Sequence, residues 1–86
     1  MIYSRADYQR IQDPWNKIPE DEPVFLLRAQ DRFAALAVLY YADVVAAEAE
    51  RTGDAQLRRH AEQTRAHALR MEAWPAKKTP DLQSHG

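Results

Sequence analysis

The chain has no cysteine, and its only glycines are Gly53 and Gly86. The lack of cysteine excludes disulfides and thiolate metal sites, and the lack of a glycine-rich loop excludes the common phosphate-binding turn. No serine lies in a nucleophile motif, and no pair of carboxylates marks an evident cleft. The sequence therefore predicts a protein that is not an enzyme and that has no cofactor.

An excess of charge of one sign is also missing, since 12 Lys and Arg stand against 13 Asp and Glu. This balance argues against general electrostatic capture of nucleic acid. The two halves nevertheless differ: residues 1–50 carry five basic and nine acidic residues, and residues 54–78 carry six basic and three acidic ones. This difference favours packing of the second half against the first, and the competing interpretation is a basic helix that faces solvent.

No apolar run is long enough to cross a membrane, because the longest covers only residues 33–47 and contains Asp43 and two tyrosines. The first thirteen residues, MIYSRADYQRIQD, have no apolar stretch typical of a signal peptide. We therefore expect a cytoplasmic protein with no membrane partner.

That run, FAALAVLYYADVVAA, has fourteen apolar or tyrosine residues among its fifteen. It is too long for an ordinary strand, and its alanines and leucines favour a helix. A helix that is apolar on all sides must be buried on most of them, and an 86-residue chain offers little to cover it. We therefore predict a homo-oligomer whose interface contains Phe33, Leu36, Leu39, Tyr40, Tyr41, Asp43 and Val44.

The fold class that we predict is all-α, an antiparallel hairpin of two long helices at residues 23–52 and 55–74. Pro23, with acidic residues before it, favours a helix start there. The alternative is an extended Val24–Leu27 and a helix that begins after Asp31 as its N-cap. Gly53 suits the left-handed position after a helix, and Asp54 suits the cap of the next helix, so residues 53–54 form the turn.

The second helix has an apolar stripe with 4-3-4-3 spacing, typical of the seam between two antiparallel helices. Its members are Leu57, Ala61, Thr64, Ala68 and Met71. Residues 1–22 are predicted to form an irregular N-terminal arm that contains aromatic residues and prolines, and residues 75–86 a flexible tail.

Two rows of arginines on the second helix are candidates for anion binding. Arg58 and Arg65 are seven residues apart and share a face, and Arg59 and Arg70 form the neighbouring row. Arginine binds phosphates and carboxylates with two parallel hydrogen bonds, and symmetry in an oligomer would gather such rows into a basic pocket. The competing interpretation is a solvated face with local ion pairs, such as Glu62 with Arg58 or Arg59.

Asp43 should pair with an arginine or histidine, because an unpaired carboxylate in an apolar helix is costly, and a ligand role is the alternative. Trp15 is interpreted as a packing anchor for the arm, with stacking on a ligand as the alternative. His60 and His67 lie seven residues apart, whereas helical metal ligands are typically four apart, so no metal site is predicted.

Two segments carry a resemblance to known sequences: IPEDEPVFLLRAQD (Ile18–Asp31) and MEAWPAKKTPDL (Met71–Leu82). The first resembles a recurrent segment, and the second the closing segment, of small uncharacterised proteins from bacteriophages and prophages. That group has no established activity, so the resemblance implies a phage-type origin and carries no functional residue to this chain.

The predicted architecture is also similar to that of small phage proteins in which helical hairpins form symmetric oligomers. Some of these sequester cyclic-nucleotide or ADP-ribose-type immune signals, and others are anti-CRISPR proteins that block a protein surface. The similarity implies an anti-defence protein of the host bacterial cytoplasm that sequesters a nucleotide-derived signal. The alternative is a protein-binding inhibitor or structural interaction module that docks on a host defence protein and has no small ligand.

For the sequestering hypothesis, the expected ligand residues fall into three groups. Phosphates would be bound by Arg28, Arg58, Arg65 and Arg59, a base or ribose by Gln30 and Asp31, and the base would stack on Tyr8 or Trp15.

Overall fold

The computed structural model describes residues 2–3, 15 and 17–79. The chain divides into two compact units, of which residues 28–79 form one. This unit contains helices α1 (Ala34–Thr52) and α2 (Ala55–Ala73), which pack against each other. The predicted helical hairpin is therefore confirmed, and the second helix lies within one residue of its predicted bounds.

The turn between the helices has the two features that the sequence predicts. Gly53 has the left-handed φ of 71°, and its N–H donates to the carbonyl of Ala49 at 2.8 Å. One carboxylate oxygen of Asp54 accepts from the N–H groups of Gln56 at 2.9 Å and Leu57 at 3.2 Å. Both ends of the connection are thus satisfied by local hydrogen bonds.

The seam between the helices is built mainly from alanine. On α2 the predicted stripe is confirmed, since Ala61, Ala68 and Met71 are buried and Leu57 and Thr64 are half-buried. The α1 side contributes Ala34, Ala35, Ala42 and Ala49. Within the part of the chain that the structure describes, no large side chain is fully buried. Small side chains allow close approach but remove little apolar area from water, so the hairpin gains modest stability from its seam.

The predicted start of the first helix at residue 23 is wrong, because α1 begins at Ala34. Pro23–Val24 is a short strand, β2, and residues 25–28 have no regular structure, so the extended alternative is closer to what is observed. Asp31 does not cap the helix directly. Its carboxylate accepts from the N–H of Phe33 at 2.8 Å, which closes a turn before α1, and Phe33 at the N-cap position makes no side-chain capping bond.

The segment before α1 is held by residues 77–79, and we call residues 29–32 together with 77–79 the clasp. The Lys78 N–H donates to the carbonyl of Gln30 at 2.7 Å, and the Arg32 N–H donates to the carbonyl of Lys78 at 3.0 Å. The Lys77 ammonium donates to the carbonyls of Ala29 and Met71. Residues 77–79 belong to the segment that we predicted as a flexible tail, yet they are bonded to the residues that precede α1.

The other unit contains the described residues of the predicted N-terminal arm. Ile2–Tyr3 forms strand β1, which pairs in parallel with β2, with Ile2 opposite Pro23 and Tyr3 opposite Val24. The sequence analysis did not predict this ladder. Trp15 in the same unit is 75% exposed, so its interpretation as a packing anchor is wrong.

Candidate functional site

The most distinctive surface of the hairpin is an apolar stripe on α1 that points away from α2. It consists of Phe33, Leu36, Tyr40 and Val44, and we call it the outward face of α1. These side chains are 47%, 66%, 72% and 52% exposed. Spacings of three and four residues place them on one side of the helix over about 17 Å. A soluble domain seldom exposes so continuous an apolar stripe unless something binds there.

Three other residues of the predicted oligomer interface lie elsewhere on α1. Tyr41 contacts α2, since its hydroxyl lies 3.1 Å from His60 Nε2 and the two rings meet edge to face at 5.8 Å. Asp43 accepts a hydrogen bond from the Arg65 guanidinium, which confirms the predicted pairing with an arginine. Leu39 is half-buried. The seven predicted residues therefore divide between the outward face and the border with α2.

The exposed side of α2 is charged where that of α1 is apolar. Arg58, Arg59, Arg65 and Arg70 are all exposed, and one terminal nitrogen of Arg70 lies 3.0 Å from His67 Nδ1. Leu69 is the large apolar exception, at 58% exposed. Such a surface suits contact with water.

Arg58 and Arg65, predicted to share a face, do line one open groove between the helices. The lining also contains Glu50 and Glu62, together with two alanines, Ala46 and Ala61. Arg58 lies 3.7 Å from Glu50, and Arg65 is paired with Asp43. The groove is therefore balanced in charge, so an anion would have to compete with the carboxylates for both guanidinium groups.

The remaining predicted ligand residues are spread over the molecule. Arg28 is exposed just before the clasp, whereas Gln30 and Asp31 are half-buried within it and their main-chain groups bond neighbouring residues. Arg59 lies on the exposed face of α2, and Trp15 belongs to the other unit. Tyr8 lies outside the described residues. Within residues 28–79, Arg58 and Arg65 of the proposed ligand set lie together in the groove, and Gln30 and Asp31 lie in the clasp next to Arg28.

One ion pair on α1 shifts the pKa values of its members. Both guanidinium nitrogens on one edge of Arg51 bond the Glu48 carboxylate one turn earlier. This hydrogen bonding lowers the pKa of Glu48 and raises the pKa of Arg51, with a small opposing effect of desolvation on each. Both side chains are exposed, so the pair is a surface ion pair near the end of the helix rather than a reactive centre.

The described part of the chain contains no cluster of three histidine, aspartate or glutamate side chains placed to bind a metal. No helix among the described residues has the length and apolar character that a membrane crossing requires. The residues that sequence reasoning missed are Lys77, Lys78 and Thr79 of the clasp. Lys78 bonds residues 30 and 32 through its backbone, Lys77 bonds Ala29 through its ammonium, and the Thr79 hydroxyl accepts from Arg32. These partners lie more than forty positions away along the chain, so no local pattern in the sequence reveals them.

Comparisons with protein-family models, curated proteins and solved structures found no match to this chain. The resemblance to small phage proteins therefore stays a prediction.

Proposed function

We propose that this chain is a non-catalytic interaction protein that works as a homo-oligomer. The observation that carries the proposal is the outward face of α1. The hairpin buries alanines in its seam while Leu36, Tyr40 and Val44 remain more than half exposed. Covering these side chains would remove further apolar area from water, so association would add stability that the alanine seam does not supply.

The test is the mass of the protein in solution as a function of concentration, by sedimentation velocity and native mass spectrometry. We expect a defined oligomer at micromolar concentration, and a Leu36→Ser, Tyr40→Ser variant that shifts towards monomer. The matched control is Leu69→Ser, which removes an equally exposed apolar side chain from α2 and should leave the oligomer unchanged. A wild-type chain that stays monomeric at all concentrations would overturn the proposal.

A second candidate function is sequestration of a nucleotide-derived immune signal of the cyclic oligonucleotide or ADP-ribose type, as an anti-defence protein of the bacterial cytoplasm. The observation that favours it is the groove in which Arg58 and Arg65 lie together, each with about half of its side chain exposed. A bound phosphate would replace Asp43 at Arg65 and Glu50 at Arg58. An oligomer would repeat this groove once per subunit.

Native mass spectrometry with a panel of cyclic di- and trinucleotides and ADP-ribose derivatives separates the two candidates. Sequestration predicts added ligand mass in a fixed ratio to subunits, and loss of that mass in Arg65→Ala but not in the control Arg70→Ala. If the oligomer binds none of these ligands, the proposal of an interaction protein without a small ligand is the one that remains. In that case a host defence protein is the expected partner, and purified candidates should form a complex of defined stoichiometry.

A further inference from the structure

The outward face of α1 has the spacing of a helix–helix seam of its own. Phe33, Leu36, Tyr40 and Val44, extended by Ala47, follow one another at intervals of three, four, four and three residues, and all five are exposed. An average spacing of about 3.5 residues keeps such side chains on the side of a helix that faces a partner helix. Over its length of about 21 Å, the stripe matches a single straight helix as partner.

The order of large and small side chains along this stripe makes it complementary to itself when reversed. If two copies of α1 run in opposite directions with Tyr40 facing Tyr40, then Phe33 of one copy faces Ala47 of the other. Leu36 then faces Val44. Phe33 and Leu36 thus each meet a smaller side chain, an arrangement that helps to fill a helix–helix interface without voids, and the two Tyr40 side chains meet at the centre.

Charges at the two ends of the stripe favour the same direction. Arg32 lies at the beginning, with its guanidinium carbon 4.4 Å from the centre of the Phe33 ring and its Nε bonded to Thr79. The exposed carboxylate of Glu48 lies at the other end, held by Arg51. In the reversed arrangement Arg32 of each copy faces Glu48 of the other, whereas a parallel arrangement sets like charges against each other.

We infer that two copies of this chain pair through the outward faces of α1 in an antiparallel, two-fold arrangement centred on Tyr40, with Arg32 opposite Glu48 at both ends. This inference rests on the proposed homo-oligomer and names its interface. The occupant is a second copy because the stripe is self-complementary in size and charge, and a two-fold interface uses one surface twice. The charged side of α2 then faces solvent.

The centre of the interface is testable by disulfide formation, because the chain contains no cysteine. In a Tyr40→Cys variant, the two introduced thiols would face each other across the two-fold axis at a separation that a disulfide spans. We expect rapid covalent dimer formation under a mild oxidant. The matched control is Leu69→Cys, an exposed leucine on α2 that should cross-link only slowly through random collision.

The direction of pairing is testable by charge reversal. Arg32→Glu and Glu48→Arg should each raise the dimer dissociation constant by about fivefold, because each places like charges opposite one another. The double variant Arg32→Glu, Glu48→Arg restores opposite charges and should recover affinity to within about twofold of the parent chain. Arg59→Glu on α2 is the control and should leave the dimer unchanged. Circular dichroism confirms that each variant keeps its helices.

The outcomes separate this inference from the proposal beneath it. Fast cross-linking at position 40 together with recovery in the double variant supports the antiparallel pair. A Tyr40→Cys variant that remains oligomeric under reducing conditions yet cross-links no faster than Leu69→Cys overturns the arrangement and leaves self-association standing. A double variant weaker than either single variant also overturns the direction of pairing. A monomeric parent chain overturns both the inference and the proposed function.

Discussion

The two helices of the hairpin have the same length, 19 residues each, and share one seam, yet their opposite sides differ completely. The outer side of α2 carries Arg59 and Arg70, with Arg58 and Arg65 along its border with α1, whereas the outer side of α1 carries Phe33, Leu36, Tyr40 and Val44. A helix whose outer side is charged has no further apolar surface to bury once its apolar stripe is covered. The apolar stripe of α2 is therefore covered by α1, whereas α1 keeps a second apolar side that is exposed.

The helices also differ in how they begin. The start of α2 is fixed locally, by the carboxylate of Asp54 bonded to the N–H groups of the next turn. The start of α1 has no side-chain cap, and the segment before it is held by residues 77–79, more than forty positions away. The first turn of α2 therefore depends on its local sequence. The segment before α1 depends on contacts that form only in the folded hairpin.

The largest expected effect concerns the seam that both helices share. Ala42→Leu adds three carbons where the structure buries alanine completely, and should lower the free energy of unfolding by about 2 kcal/mol. The control is Ala66→Leu on the exposed side of α2, which makes the same chemical change without overpacking. Urea unfolding followed by circular dichroism measures both. Equal stability of the two variants would show that the seam is not closely packed.

Removal of the local cap breaks the start of α2 alone. Asp54→Ala leaves the N–H groups of Gln56 and Leu57 without their acceptor, and should cost about 1 kcal/mol of unfolding free energy. Asp54→Asn keeps an acceptor oxygen and should retain most of the stability. A loss in Asp54→Asn as large as that in Asp54→Ala would contradict capping as the cause.

The clasp provides the corresponding test for α1. Lys77→Met removes the ammonium that bonds the carbonyls of Ala29 and Met71, and should cost about 0.5 kcal/mol because these bonds are mostly exposed. Hydrogen exchange of the Arg32 and Lys78 amides should accelerate while that of α2 stays unchanged. Lys78→Met is the control, since residue 78 takes part through its backbone. Unchanged exchange in Lys77→Met would mean that the backbone bonds alone hold the clasp.

The smallest effect is the pH dependence contributed by Glu48. Its pKa is lowered in the folded chain by the hydrogen bond from Arg51, so the pair stabilises the fold above the unfolded pKa. That contribution is lost as the pH falls through the lowered folded pKa. The stability difference between the parent chain and Glu48→Gln should therefore shrink on acidification. A difference that grows towards low pH would have the wrong sign for this pair.

The sequence predicted α2 well because its signals are local: Gly53 and Asp54 at its start, and an apolar stripe with 4-3-4-3 spacing along it. It misplaced the start of α1 by eleven residues, since Pro23 and the acids before it resemble a helix start while the clasp that decides the matter is distant. Seven-residue spacing correctly placed Arg58 and Arg65 together. The carboxylates of Glu50 and Asp43 that face them come from the other helix, and only the packing of the hairpin reveals these pairs.

The order of the helices along the chain has a consequence for synthesis. The ribosome completes α1 at Thr52, and the last residue of α2 follows 21 residues later. At about 5–20 residues per second, α1 waits roughly one to four seconds before its whole seam can be covered. Until α2 is complete, the buried alanines of α1 have no full partner helix within the chain, so the seam can close only after residue 73 has been added. Because the turn between the helices has only two residues, α2 begins almost as soon as α1 ends. The interval is therefore close to the shortest that is possible when α1 precedes α2.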